Sequence, residues 1–167
     1  MDEEVKSLLR KYKSNISISG VYVILYSIWI TFKFFLSIAY GTENIYDIVG
    51  VDESVYDGFK YFLIGAVILV FLISILFHVR IGLGAVKFSK VDITSKKKIR
   101  KGFLVWAIIY AFFSILGLFN YNDKFSDSDT IDTIIVAVVL DMTLIFLLLD
   151  MIYSSFKVLK IKKELNS

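Results

Sequence analysis

The sequence has 167 residues, 57% of them apolar, and its 19 lysines and arginines outweigh 16 aspartates and glutamates by a formal +3. A mean hydropathy of +0.71 on so short a chain excludes an ordinary water-soluble domain, because too much apolar surface would stay in water. With no cysteine, no proline and one histidine (His78), the chain lacks thiolate chemistry, disulfides, proline kinks and clustered His ligands.

In chain order, a basic segment with Lys6, Arg10, Lys11 and Lys13 leads into a first apolar stretch over residues 16–40. Within it Ser19, Tyr22, Tyr26, Trp29, Lys33, Ser37 and Tyr40 recur every three or four residues, which places them on one face of a helix. Aligned hydroxyls have no use against lipid, so the stripe is expected to face the interior of a bundle. Leu25, Ile28, Phe32 and Phe35 are then expected to face lipid. A belt of interfacial Tyr and Trp is the alternative account, and it suits Tyr40 better than Tyr26 or Trp29. Ser37-Ile38-Ala39 has the small-x-small form of a signal cleavage site. The apolar region before it is long and contains Lys33, so an uncleaved helix is expected.

A short acidic connection with Glu43, Asp47, Asp52, Glu53 and Asp57 precedes the second stretch, 59–86, whose core from Tyr61 to Phe77 carries no charge. His78 and Arg80 follow it, then a basic loop over 87–101 that contains Lys96-Lys97-Lys98. The third stretch, 103–120, repeats the polar striping with Trp106, Tyr110, Ser114, Gly117 and Tyr121. A second acidic connection leads to the fourth stretch, 131–153, which holds Asp141 and Asp150 and ends in a basic tail over 157–167. Each stretch is long enough to cross a hydrocarbon core of about 30 Å at about 1.5 Å per residue. The pattern predicts an all-α membrane protein, an antiparallel four-helix bundle forming a single membrane domain. Gly65, Gly82, Gly84, Ala85, Gly117 and Ser154 are expected to allow close helix approach.

Charge asymmetry orients the chain. Sixteen of the 19 basic residues fall on one side, in the leading segment, the loop between spans two and three, and the tail. By the positive-inside rule both termini are cytoplasmic in the cell membrane. The lysine run is expected to touch anionic lipid headgroups. Nucleic acid is not an expected partner, since the basic loop has no interleaved aromatics and no room for a reading domain.

Charges within the spans are costly and normally have partners. Lys33 lies seven residues inside Tyr40 and Asp141 ten residues inside Ile131, depths of about 10 and 15 Å. An ion pair between them is the favoured expectation, with snorkelling of Lys33 and a role in transport or proton relay as alternatives. Arg80 and Asp150 are expected at one depth near the cytoplasmic boundary, as an interfacial pair. His78 is expected to be packed and hydrogen-bonded, one turn from Ser74. Asp141 and Asp150 are nine residues apart, half a rotation at about 100° per residue, which argues against one narrow cavity lined by both.

At an offset of 70, Arg80-Ile-Gly-Leu-Gly84-Ala85-Val-Lys87 lies against Asp150-Met-Ile-Tyr-Ser154-Ser155-Phe-Lys157, with a charge, a small pair and a lysine in matching places. This points to a two-plus-two repeat, with chance likeness of short apolar segments as the alternative. The stretch His78-Val-Arg-Ile-Gly-Leu-Gly-Ala, the lysine-rich loop and the new apolar span at Gly102 resemble a group of small four-span membrane proteins of Gram-positive anaerobes. The resemblance covers roughly a quarter of the chain and implies a bacterial four-span topology; it implies no activity.

No Gly-rich phosphate loop, HExxH or GxSxG is present. The expectation is therefore a protein without enzymatic activity or cofactor, an accessory or interaction subunit that assembles with another membrane protein or with itself. The alternative is a small oligomeric transporter or channel using Lys33, Asp141 and the Tyr/Trp stripe.

Overall fold

A computed structural model describes residues 3–39, 53–92, 101–119 and 131–165. They form four helices: α1 Glu3–Ala39, α2 Glu53–Ser89, α3 Gly102–Phe119 and α4 Ile131–Leu165. All four are long and apolar enough to cross a membrane, so the chain is an integral membrane protein of the all-α class. Residues 40–52 and 120–130, within the two acidic connections, and residues 93–100 of the basic loop lie outside the described residues.

Three helices are longer than the apolar stretches that predict them. α1 begins at Glu3 rather than near residue 16, and its 37 residues span about 55 Å, well beyond a hydrocarbon core. Local chemistry supports the added turns. Glu3 and Glu4 sit at the positive end of the helix dipole, Lys6 reaches Glu3 at 3.0 Å, and the Ser7 hydroxyl donates to the Glu4 carbonyl. α4 runs through the basic tail to Leu165, where Lys162 and Lys163 complement the negative end of its dipole. α2 is helical from Glu53 but leaves helical geometry at Phe59 (φ −123°, ψ 17°), the residue at which its apolar stretch begins.

By contacts the chain divides into two units, Met1–Val23 with Arg80–Ser167, and Ile24–Val79. The first unit is built on a heptad rhythm. Leu9, Ile16 and Val23 on α1 are buried at intervals of seven, and Leu144, Leu148, Met151, Ser155 and Val158 on α4 alternate steps of four and three. On α2 the buried positions Ile81, Ala85 and Phe88 follow the same steps. That periodicity is the seam of helices packed knobs-into-holes. Contacts run in opposite order along the pairs: Tyr12 meets Tyr153 edge-on and Asn15 meets Asp150, while Lys13 meets Val91 and Gly20 meets Gly82.

Two glycines set the closest approaches. A Cβ on Gly20 would lie 2.8 Å from the Gly82 carbonyl oxygen and 2.9 Å from the Ala85 methyl. One on Gly84 would lie 2.5 Å from Phe103. Gly82, Gly84 and Ala85 thus act as the sequence predicts, but the prediction omits Gly20. It also includes Gly65 and Gly117, where an added Cβ would meet no described neighbour within 4 Å.

The second unit contains the remaining part of α1 and most of α2. Phe34 and Phe71 stack across it with ring centroids 4.0 Å apart. Two helices cover only one stripe on each other, and most described side chains of this unit are exposed. Only 6% of the most apolar stretch of α2 is buried, against 22% or more in the other three helices.

Candidate functional site

The first unit gathers polar side chains along a seam between α1, α4 and α3. Asp150, half-buried on α4, accepts a hydrogen bond from the Asn15 amide of α1 at 3.3 Å. The same carboxylate oxygen accepts one from the Ser154 hydroxyl, also at 3.3 Å. Ser154 stands where it can do this because helical neighbours four apart share a face. Higher on α4, Asp141 lies within Coulombic reach of the tyrosine hydroxyls of Tyr22 on α1 and Tyr110 on α3. Tyr110 is in turn hydrogen-bonded to Ser114, one turn along its own helix.

Asn15, Ser19 and Tyr22 are spaced by four and three, so one face of α1 answers both carboxylates. Asp141 and Asp150 remain half a turn apart on α4. Long tyrosine side chains bring the first into the neighbourhood of the stripe that holds the second. Between them, Ser19 is 1% exposed, and its hydroxyl has no hydrogen-bond partner among the described residues. The Ser155 hydroxyl, fully buried on α4, has none either.

The expected interfacial pair of Arg80 and Asp150 does not form. Arg80 is exposed and makes no ion pair with Asp150, while solvent-facing pairs such as Lys6–Glu3 and Lys160–Glu164 do form. Neutral donors from Asn15 and Ser154 occupy Asp150 instead, which avoids removing an arginine from its hydration shell. Arg80 and Asp150 are equivalent under the 70-residue offset, yet the two helices use that position differently.

The expected interior stripe of α1 holds only in part. Ser19 and Tyr26 are buried and Tyr22 is half-buried, but Trp29 is 50% exposed and Lys33 is exposed. Leu25, Ile28, Phe32 and Phe35 are exposed as expected of the opposite face. Beyond Val23 the stripe enters the two-helix unit, where one neighbour cannot cover it. Lys33 is therefore no buried charge, and it makes no hydrogen bond or ion pair with a described residue. On α3, Tyr110 and Ser114 are half-buried while Trp106 is 42% exposed.

His78 is 6% exposed in the second unit, with its Nδ1 2.6 Å from the Ser74 carbonyl oxygen. A carbonyl oxygen only accepts, so Nδ1–H donates. Among the described residues no group of three or more His, Asp or Glu is arranged to hold a metal ion.

Sequence reasoning misses one contact at the end of α2. The Lys13 ammonium donates to the Val91 carbonyl at 2.6 Å, just past the last turn of the helix. A cation there meets the negative end of the helix dipole, an interaction of roughly 0.3–1 kcal/mol. At the same end Lys157 sits 5.3 Å over the ring of Tyr153, which packs edge-on against Tyr12. Lys13 and Lys157 read in the sequence only as topology charges. The carbonyl partner of Lys13 comes from a distant segment and leaves no local pattern, whereas Lys157 and Tyr153 are one turn apart on α4.

No protein-family model, no curated protein and no solved structure matches this chain.

Proposed function

We propose that this protein is a non-enzymatic accessory or interaction subunit of a bacterial cell membrane, with both termini cytoplasmic, which assembles with a different membrane protein. The observation that carries this reading is the uncovered surface of α2. Its membrane-crossing stretch is the most apolar of the four, and the chain buries the smallest share of it. The polar groups of the first unit support the same reading, because Asp150, Asn15 and Ser154 satisfy one another and tie α1 to α4. The basic side of the chain lies against anionic headgroups.

Extraction from its own membrane in a mild detergent, followed by measurement of mass and subunit content, tests the proposal. The expected result is a stable complex with a second, different membrane protein. A homogeneous homo-oligomer or a monomer would overturn it.

A second reading has one observation in its favour. Asp141, Tyr22 and Tyr110 form a polar centre within the span, as a small oligomeric transporter or channel would use. Replacing Lys33 by Met and Asp141 by Leu together decides that reading. A transporter should fold and lose flux, whereas a folded double variant with full biological activity ends the transport reading.

A further inference from the structure

Arg80, Leu83 and Lys87 are exposed and continue, at steps of three and four residues, the stripe of α2 that carries Leu76. Ile81 and Ala85, between them, are fully buried, so this stripe points away from the bundle. It begins in leucines and ends in two cations, the order met on passing from hydrocarbon into headgroups.

Contacts between helices fix how deep the two cations lie. Gly84 meets Phe103, the second residue of α3, and the exposed Lys101 directly precedes that helix. α3 has 18 residues, about 27 Å, so it needs its whole length to cross a hydrocarbon core of about 30 Å. The edge of the hydrocarbon therefore runs close to Gly84. Arg80 is four residues inside that edge, about 6 Å, and Lys87 is three residues outside it, about 4.5 Å. An extended arginine spans about 6 Å, enough to return its guanidinium to the edge. The Lys87 side chain leaves its helix toward the N-terminus, which is the direction of Arg80. Both cations thus reach one level, that of the lipid phosphates, and two like charges share a level best with an anion between them.

The chain's own carboxylates stand elsewhere. Gly20 meets Gly82 and Asn15 meets Asp150, so Arg80, two residues beyond Gly82, is level with Tyr22. That is seven residues, about 10 Å, deeper than Asp150. Both acidic connections join the opposite ends of the helices. Neither Arg80 nor Lys87 makes an ion pair with a described residue.

We propose that Arg80 and Lys87 form a binding site for the phosphate of an anionic phospholipid. The planar guanidinium donates paired hydrogen bonds to phosphate oxygens, the ammonium adds a point charge, and the acyl chains begin beside Leu83. The site lies past the uncharged run of α2, and it goes beyond the accessory-subunit reading without depending on it.

The test uses the full chain in vesicles, with Trp29→Phe and Trp106→Phe removing both native tryptophans and Leu83→Trp supplying a reporter. Its quenching by phosphatidylglycerol with brominated acyl chains, compared with brominated phosphatidylcholine, measures the preference of the site. Phosphatidylglycerol should be preferred about five-fold. Arg80→Gln should remove most of that preference and Lys87→Gln part of it. Lys160→Gln, at an exposed cation near the end of α4, should leave it unchanged. Circular dichroism checks that the variants are folded, which the exposure of all three cations predicts. No preference at Leu83→Trp overturns the proposal, as does a preference that Arg80→Gln and Lys87→Gln leave intact. An equal preference at a Leu69→Trp reporter, 11 residues from Arg80 on the same helix, overturns it by showing diffuse attraction. Loss of the preference on adding inorganic phosphate, but not chloride of equal ionic strength, overturns it by making free phosphate the occupant.

Discussion

At the residue scale, polar side chains inside an apolar fold divide into those that hold it together and those it merely tolerates. Asp150 belongs to the first kind, because two neutral donors depend on its carboxylate. Asp150→Ala strands the Asn15 amide and should cost about 2 kcal/mol, whereas Asp150→Asn retains an acceptor oxygen and should cost less. Resistance to unfolding by sodium dodecyl sulfate measures the difference. Ser19 belongs to the second kind, since it is fully enclosed and its hydroxyl meets no partner among the described residues. Ser19→Ala should leave stability unchanged or raise it by up to about 1 kcal/mol in the same assay. A large loss on Ser19→Ala would show that its hydroxyl is bonded.

At the scale of the elements, helices in lipid gain little from apolar burial alone, so their association depends on close fit. The fit of α1 to α2 is set at Gly20, where even a methyl group would overlap the Gly82 carbonyl oxygen and the Ala85 side chain. Gly20→Ala should therefore destabilise the protein by about 1–3 kcal/mol, although alanine is the better helix former. Gly65→Ala is the matched control. An added Cβ on Gly65 would meet no described neighbour within 4 Å, so the same substitution should be neutral or stabilise by up to about 1 kcal/mol. Equal effects at the two positions would mean that α1 and α2 do not approach closely at Gly20. The kink at Phe59 belongs to this scale too, since it separates the charged first turns of α2 from its uncharged run.

At the scale of the whole molecule, the asymmetry of basic residues predicts the orientation, and the lack of cysteine makes it simple to test. Single cysteines at Ser7, Asp47 and Glu164 report on the N-terminus, the first acidic connection and the tail. A membrane-impermeant thiol reagent added to intact cells should label Asp47→Cys and leave Ser7→Cys and Glu164→Cys unmodified until the membrane is opened. Labelling of Ser7→Cys from outside would invert the topology. It would also move the lysine-rich loop away from the anionic leaflet that it is expected to meet.

The sequence by itself determined the number of helices, that each is long and apolar enough to cross a membrane, and which residues share a face of α1. Hydrocarbon permits few ways to satisfy a backbone, and uninterrupted apolar length reads directly as a span. It did not reveal how far the helices continue past the apolar runs, because Glu3 to Asn15 and Lys157 to Leu165 carry no hydrophobic signal. Tertiary structure alone decided the partners of the charged groups. Arg80 lies at the depth of Asp150 in the sequence, yet the contacts of Asp150 are neutral: Ser154 one turn along α4, and Asn15, brought to it by the register of α1 on α4. Spacing placed Tyr22, Tyr26, Trp29 and Lys33 on one face. Where a neighbouring helix covers that face is a property of packing, and it separates the buried Tyr26 from the exposed Trp29 and Lys33.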